Sequence, residues 1–479
     1  MNRRKFIKKF TTAAASIILF NHLLCAKTKN KPNIILIVAD DLGYGELGCY
    51  GQQKIKTPNI DKLATEGVKF INFYAGSPVC APSRCVLMTG KHGGHAYVRD
   101  NYEVGTWESF QGQLPLPDKE ITIAELLKRA GYKTGAFGKW GLGRVNSSGD
   151  PLNQGFDTFF GYNCQRHAHN YYPKYLIHNK EKIFLDGNNR SKTGKHYAPK
   201  LIADKAIEFI KENRNNPFFL YYPTIIPHLP LQVPEDEKKQ YLGKWEEKPY
   251  NGKAYLPDKT PRATYAAMIS FLDKNVGRIM ETLQKLNLDE NTIIIFTSDN
   301  GTTYLKDEVD YEFFNSTKGL KGLKGSVYEG GLKVPLIVRW KGKIKEGRII
   351  NNPFAFYDIM PTIADIAGIK IPQNIDGLSF LPLLAGNKNK QKFHEFLFWD
   401  FAGYGGQIAV RYGKYKGILK NLKKNPDAKL ELYDLEQDPY EKNNIANQHP
   451  DIVNKIMEII KKERTKPEIK KFRFWKYYQ

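Results

Sequence analysis

The chain has 479 residues, 41% hydrophobic and 26% charged, the composition of a soluble globular protein rather than a disordered one, with length enough for a large core and two domains. Its 73 Lys and Arg against 50 Asp and Glu give a formal charge of +23. That excess suits steering of an anionic substrate, although a generally lysine-rich surface accounts for most of it. No nucleic-acid-binding motif accompanies the charge, so nucleic acid is not an expected partner.

The chain opens on Asn2-Arg3-Arg4-Lys5-Phe6-Ile7-Lys8, followed by a mildly apolar stretch over 11–24 that Asn21 and His22 interrupt. This is the pattern of a twin-arginine export leader, 1–26, too short for a comfortable membrane span. It predicts delivery by the twin-arginine machinery to the periplasm. A lipid anchor on Cys25 is the less favoured alternative, because His22-Leu23-Leu24 lacks the small residues expected before a lipidated cysteine.

Beyond the leader, Pro32-Asn33-Ile34-Ile35-Leu36-Ile37-Val38 is a nearly continuous apolar run, as in a parallel strand buried on both faces. It runs into Ala39-Asp40-Asp41-Leu42-Gly43. The same pattern returns where Asn291-Thr292-Ile293-Ile294-Ile295-Phe296 meets Thr297-Ser298-Asp299-Asn300-Gly301. In an open α/β sheet such strand ends gather at one edge, where ligands bind. Three carboxylates brought together there would repel, and a hard divalent cation with all-oxygen coordination relieves that repulsion. Taken singly, either segment reads better as a solvated turn.

Between these strands lies Cys80-Ala81-Pro82-Ser83-Arg84, continuing to Thr89-Gly90-Lys91-His92. Farther on, Thr134-Gly135-Ala136-Phe137 leads into Gly138-Lys139-Trp140-Gly141-Leu142-Gly143. Pro217-Phe218-Phe219-Leu220-Tyr221-Tyr222 leads to Pro227-His228-Leu229-Pro230, and Lys324-Gly325-Ser326 precedes Glu329-Gly330-Gly331. Cys-x-Pro-Ser-Arg with a following Thr-Gly resembles the signature of the type I sulfatases, and the other segments resemble that family's motifs in the same order, from about Pro32 to the C-terminal region.

The resemblance implies that Cys80 is oxidised by a formylglycine-generating maturation enzyme to an aldehyde whose hydrate attacks sulfur, giving a covalent sulfo-enzyme intermediate that then eliminates sulfate. It further implies that Asp40, Asp41, Asp299 and Asn300, with the modified Cys80, hold a cation. A crowded oxygen cage favours Ca2+ over Mg2+. Arg84 would orient the nucleophile, Lys139 and Lys324 would grip the sulfate, and His228 would protonate the leaving alcohol. One departure stands out. Many members of the family read Gly-Lys-Trp-His-Leu-Gly where this chain has Gly141. His167 and His169, in Cys164-Gln165-Arg166-His167-Ala168-His169-Asn170, are the expected replacements, or else sugar contacts or packed rings.

The substrate expected is a sulfated carbohydrate containing galactose or hexosamine, with His92, His95, Arg99 and Asn101 lining the leaving-group pocket beside tyrosine-rich loops. The alternatives are a phosphonate or phosphate monoester hydrolase of the same fold, or a glycan-binding pseudoenzyme if Cys80 stays a thiol. With the leader removed and Cys80 converted, Cys49, Cys85 and Cys164 remain, too few for a disulfide framework.

Helical spacing over 122–130, 200–213 and 265–286 alternates with the strands, and another helix starts at 357–363. The fold class expected is α/β, alkaline-phosphatase-like: a large, mixed, mostly parallel sheet flanked by helices over 27–386. The polar stretch 386–392 marks a boundary. A smaller α+β subdomain, 387–479, would follow, with short antiparallel strands at 396–399, 407–411, 415–419 and 431–433 and a helix at 451–463.

Overall fold

The computed structural model describes residues 31–104 and 112–478. The leader and Cys25 lie outside the described residues. The apolar run after the leader becomes β1 (Asn33–Ala39), every residue of it buried. It is flanked in parallel by β8 (Phe218–Pro223) and β9 (Thr292–Ser298), with Leu36 opposite Tyr221 on one side and Ile295 on the other. A strand enclosed on both edges and both faces has no solvated side, which is why its sequence does not alternate. β4 (Lys133–Lys139) and β5 (Thr158–Tyr162) extend the parallel core beyond β8. Antiparallel pairings add β6 (Tyr175–His178) and β7 (Glu181–Phe184) at that edge, and β10 (Leu336–Trp340) and β2 (Val68–Phe70) at the other. There β11 (Arg348–Ile350) pairs in parallel with β2 to complete the ten-stranded sheet.

Helices cover both faces. α1 (Pro58–Thr65), α4 (Ala198–Glu212) and the long α5 (Pro261–Lys285) pack with Ile35, Ile37, Phe296 and Ile337 on one side. α2 (Cys80–Thr89), α3 (Ile123–Arg129) and α6 (Ile359–Ala367) pack with Leu36, Val38 and Val338 on the other. α3 begins at a capping box in which Thr122 Oγ1 accepts from Glu125 N–H and Glu125 accepts from Thr122 N–H. α5 starts at Pro261, ahead of the apolar spacing, because proline suits the first helical turn.

The C-terminal strands β13 (Phe396–Phe401), β14 (Gln407–Tyr412), β15 (Tyr415–Leu419) and β16 (Glu431–Asp434) form a four-stranded antiparallel sheet, with α7 (Pro450–Glu463) against it. Phe398, Val410, Ile418 and Ile456 belong to the same apolar core as Val338 and Phe356. Trp399 Nε1 donates to Ala75 O across the junction at 2.9 Å. The smaller sheet thus shares the apolar core on one face of the ten-stranded sheet. Among the described residues no helix is long and apolar enough to cross a membrane.

Candidate active site

The carboxyl ends of β1 and β9 are tied together by their backbones. Asp299 N–H donates to Ala39 O at 3.0 Å, Asp41 N–H to Asp299 Oδ1 at 3.2 Å, and Leu42 N–H to Ser298 Oγ at 3.0 Å. Asp41 turns the chain with φ +64, a left-handed conformation that Asp tolerates better than most residues. Asp40, Asp41, Asp299 and Asn300 are thereby gathered and buried.

Cys80 opens α2 directly after extended Val79, so its side chain emerges at the helix start. Its Sγ lies 3.4 Å from Asp40 Oδ1 and 4.0 Å from Asp41 Oδ1. Burial, and then Asp40, push this thiol well above its ordinary pKa. One helical turn on, Arg84 forks onto Asp299 Oδ2 (Nε 3.1 Å, Nη2 2.7 Å) and donates from Nη1 to Lys139 O at 2.6 Å.

Two lysines and a histidine complete the cluster. Lys139, at the end of β4, places Nζ 2.6 Å from Asp40 Oδ2, and Lys324 Nζ is 2.7 Å from the Asp41 carboxylate. Burial opposes the charge on Lys324, but Asp41, then Cys80 and Asp40, together outweigh it and raise its pKa well above the ordinary value. His228 Nδ1 is 2.6 Å from Leu229 O. A carbonyl only accepts, so Nδ1 carries the proton and Nε2, 3.6 Å from Asp41 Oδ2, faces the site with its lone pair. Burial, and then Lys324, hold this imidazole well below its ordinary pKa.

Three buried acids stand against Arg84, Lys139 and Lys324, yet the balance is uneven. Burial alone would raise Asp40, but Lys139, His228 and Arg84 hold it well below the ordinary carboxylate range. Asp299 is instead pushed up to about 7 by burial and then by Asp40, and Asp41 is raised by burial despite Lys324. Asn300 donates from Nδ2 to Asp41 Oδ1 and Gly301 O, leaving its buried Oδ1 with no partner. Under-compensated carboxylates beside an orphaned amide oxygen fit a hard divalent cation. Asp40, Asp41, Asp299 and Asn300 would hold it. Ligand atoms of Asp40, Asp41, Cys80 and His228 all lie within 4.8 Å of one another.

The sequence profile of the sulfatase family matches residues 32–369. The chain belongs to the sulfatase family. It is a sulfuric ester hydrolase, and the C-terminal profile of N-sulphoglucosamine sulphohydrolase matches residues 323–467. It is similar to the N-acetylgalactosamine-6-O-sulfatase of Bacteroides thetaiotaomicron, 30% identical over 92% of this chain and 94% of that one. It also resembles the N-acetylgalactosamine-6-sulfatase of Mus musculus, 32% identical over 85% and 76%. The solved structure of Ps i-CgsB in complex with k-i-k-neocarrahexaose superposes with a TM-score of 0.76 at 28% identity, covering 94% of this chain and 95% of that chain.

In this sulfatase a cavity of about 520 Å³ opens over Cys80, Asp41 and Lys324, bordered by Asn101, His169 and His228. Asn101 also accepts from Ala81 N–H through Oδ1 at 2.9 Å, steadying the first turn of α2. His92, His95 and Arg99 differ from expectation, for none of them borders this cavity. The His92 and His95 rings stack at 4.3 Å between Asp376 and Glu463, while Arg99 donates to Gly94 O and Thr465 Oγ1. Their partners come from Asp376 and the C-terminal segments, so these residues sit at the junction and not on the cavity wall. His169 stacks on His228 at 4.5 Å. His167 stands outside the cavity, packed against Tyr162 and Tyr175. Sequence reasoning did not single out Gln165, Tyr255, Tyr304 or Tyr404 as site residues. These cavity-lining residues come from irregular segments that carry no periodic signal.

Proposed function

We propose that the protein removes sulfate from a sulfated carbohydrate containing galactose or hexosamine, using formylglycine made from Cys80. The observation that carries this reading is the placement of Cys80 against Asp40 and Asp41 at the floor of a polar cavity. Its Sγ stands in for the oxygen that the oxidised residue would carry on the same Cβ. The hydrated aldehyde would supply a nucleophilic hydroxyl, and Ca2+, favoured over Mg2+, would supply Lewis acidity when bound.

The chain's own residues account for the rest. A sulfate ester is anionic, and its leaving alcohol needs a proton. Lys324 lines the cavity and Lys139 lies buried against Asp40, two ammonium groups that would neutralise sulfate oxygens, where charge grows in the transition state. Arg84, locked onto Asp299, keeps α2 and β9 in register around the nucleophile. His228 Nε2 faces the cavity with its lone pair, and an entering sulfate that offsets the charge of Lys324 would let it take up the proton destined for the leaving oxygen. His169, stacked on it and lining the same cavity, would assist release of sulfate in place of the histidine missing at Gly141. Tyr255, Tyr304 and Tyr404 offer aromatic faces for sugar rings. The glycan substrates named for the similar proteins support a carbohydrate. The leader supports export to the periplasm, which would occur through the twin-arginine machinery.

Mass spectrometry of the peptide containing Cys80, from protein made in a host that carries the maturation enzyme, tests the proposal, together with sulfate release from sulfated galactose and N-acetylhexosamines. An aldehyde at position 80 and turnover of at least one sugar are expected. A thiol throughout, in active protein, would overturn the mechanism.

A further inference from the structure

Gln165 is a buried residue, 4% exposed, on the wall of the same cavity as Cys80 and His228. Its backbone is anchored, since its N–H donates to Gln113 Oε1 at 2.8 Å. Its side chain is not, for neither Oε1 nor Nε2 has a hydrogen-bond partner among the described residues. Buried amides are nearly always paired, so an unpaired amide on a residue that lines a cavity calls for a partner from outside the chain. Asn163 is also unpartnered but borders a neighbouring cleft of only about 20 Å³. Gln165 is the one that faces space a ligand can enter.

The neighbouring strand makes room for it. β4 and β5 continue their pairing past their ends, with Trp140 N–H donating to Tyr162 O and Gly141 N–H to Asn163 O, which brings 141 beside 165. A Cβ on residue 141 would lie 2.1 Å from Gln165 Nε2. Any side chain at 141 would therefore expel the amide from its position. With φ +80, residue 141 also adopts a conformation that favours glycine. The glycine and the glutamine form a complementary pair.

We propose that Gln165 is a specificity-determining residue whose side-chain amide hydrogen-bonds a hydroxyl or acetamido group of the carbohydrate leaving group. An amide donates and accepts at once, which matches the paired donor and acceptor character of sugar hydroxyls. It does not titrate near neutral pH, so it recognises without moving protons. The inference rests on the carbohydrate reading above.

The test compares wild type, Gln165→Leu, Gln165→Ala and Gly141→Ala on two substrates, 6-sulfated N-acetylgalactosamine and 4-nitrophenyl sulfate. For Gln165→Leu, kcat/KM on the sugar should fall roughly 10- to 100-fold, chiefly through KM, and at least ten times further than on the aryl ester. Leucine removes an unpaired buried amide, so this variant should melt no lower than wild type, whereas a structural glutamine would lower the melting point on loss. Gly141→Ala should reproduce the sugar defect in wild type but add little to it in the Gln165→Ala background. Equal losses on both substrates, or undiminished sugar turnover by Gln165→Leu and Gln165→Ala, would overturn the assignment alone. A wild type that hydrolyses the aryl ester but no sulfated sugar would overturn the carbohydrate reading and this inference with it.

Discussion

Lys416 ties the C-terminal sheet to the catalytic loop, and its removal should be felt in both stability and turnover. Its ammonium, fully buried on β15, donates to Glu329 Oε1 at 2.8 Å and lies 3.1 Å from Glu441 Oε1, an ion-pair contact without hydrogen-bond alignment. Burial would raise Glu329, but Lys416, then Lys333 and Arg411, hold it down to about 2, whereas Glu441 is pushed up to about 7 by burial. Lys416→Met keeps the chain length and removes the charge. Breaking one side of a buried pair costs about 3–5 kcal/mol. The low end applies because Lys333 and Arg411 still face Glu329. An unfolding entropy of about 2 cal/mol/K per residue makes 3 kcal/mol worth about 3 °C in a chain this long. The sign with pH follows. In wild type Glu329 has a depressed pKa, so its contribution is present above the unfolded value and is lost as pH falls toward about 2. In the variant Glu329 loses that depression and protonates in the folded state at higher pH, relieving the penalty. The gap between the two proteins should be widest near pH 8 and narrow by pH 5, and Glu329→Gln added to Lys416→Met should recover much of it. Because Glu329 ends the turn that carries Lys324, sulfatase turnover should fall as well. Thermal unfolding across pH 5–8 decides the matter: equal melting points throughout, or a gap that widens in acid, would refute the reasoning.

Four further outcomes are expected. Lys139→Ala and Lys324→Ala should each lower kcat on an aryl sulfate by about 100- to 1,000-fold, as for loss of one donor to a developing oxyanion, and a tenfold or smaller loss would remove that lysine from the sulfate site. Chelation should abolish turnover and lower the melting point by about 3 °C relative to protein with cation at 100 times Kd; Ca2+ should restore both better than Mg2+, and activity unaffected by chelation would refute the site. For His394, burial lowers the pKa but Asp358, 2.7 Å away, raises it above the ordinary value. Its contribution is full below the unfolded pKa of about 6.5 and lost above the folded one, so the deficit of His394→Gln in urea unfolding should be larger at pH 6 than at pH 9, and a constant deficit would argue against the pair. In Gly138→Ala the new Cβ would meet Pro223 O at 2.0 Å with φ +140, so the variant should lose roughly 2 kcal/mol or more and much activity through displaced Lys139; a melting point equal to wild type would contradict it.

The central sheet was legible because β1 and β9 are buried on both faces, and uninterrupted apolar runs that end in Asp and Asn say both where the strands lie and where they stop. The last two strands toward one edge, β6 and β7, escaped, since Glu181–Phe184 is largely exposed and carries little pattern. Lys139, His228 and Lys324 were legible only through motif resemblance. Nothing in a lone lysine announces a carboxylate 99 or 283 residues away. The same limit misplaced His92, His95 and Arg99. They follow α2 closely in sequence, but their partners Asp376, Glu463 and Thr465 lie hundreds of residues on, and those partners turn them toward the C-terminal sheet. Gln165 stood inside a segment noted for its histidines, and its importance lies in what it fails to touch, which no sequence pattern records.

The charge count explains why so many cations surround Cys80. Asp40, Asp41 and Asp299 are matched by Arg84, Lys139 and Lys324, so the protein groups alone sum to zero at full ionisation. Lys139 and Lys324 are then occupied by Asp40 and Asp41, and a sulfate ester entering the cavity would have to compete with those carboxylates. A divalent cation held by the acids changes the sum to +2, and the two ammonium groups become available to an anion. Cation and sulfate would therefore bind with positive coupling, each raising the affinity for the other by the same factor. The raised Asp299 and Asp41 are the other side of this balance, marking acids that the lysines and arginine alone do not fully compensate. A site built only to hold a cation would carry no buried lysines, and one built only to hold sulfate would carry no buried aspartates. The presence of both, in contact, is what a sulfate ester hydrolase requires.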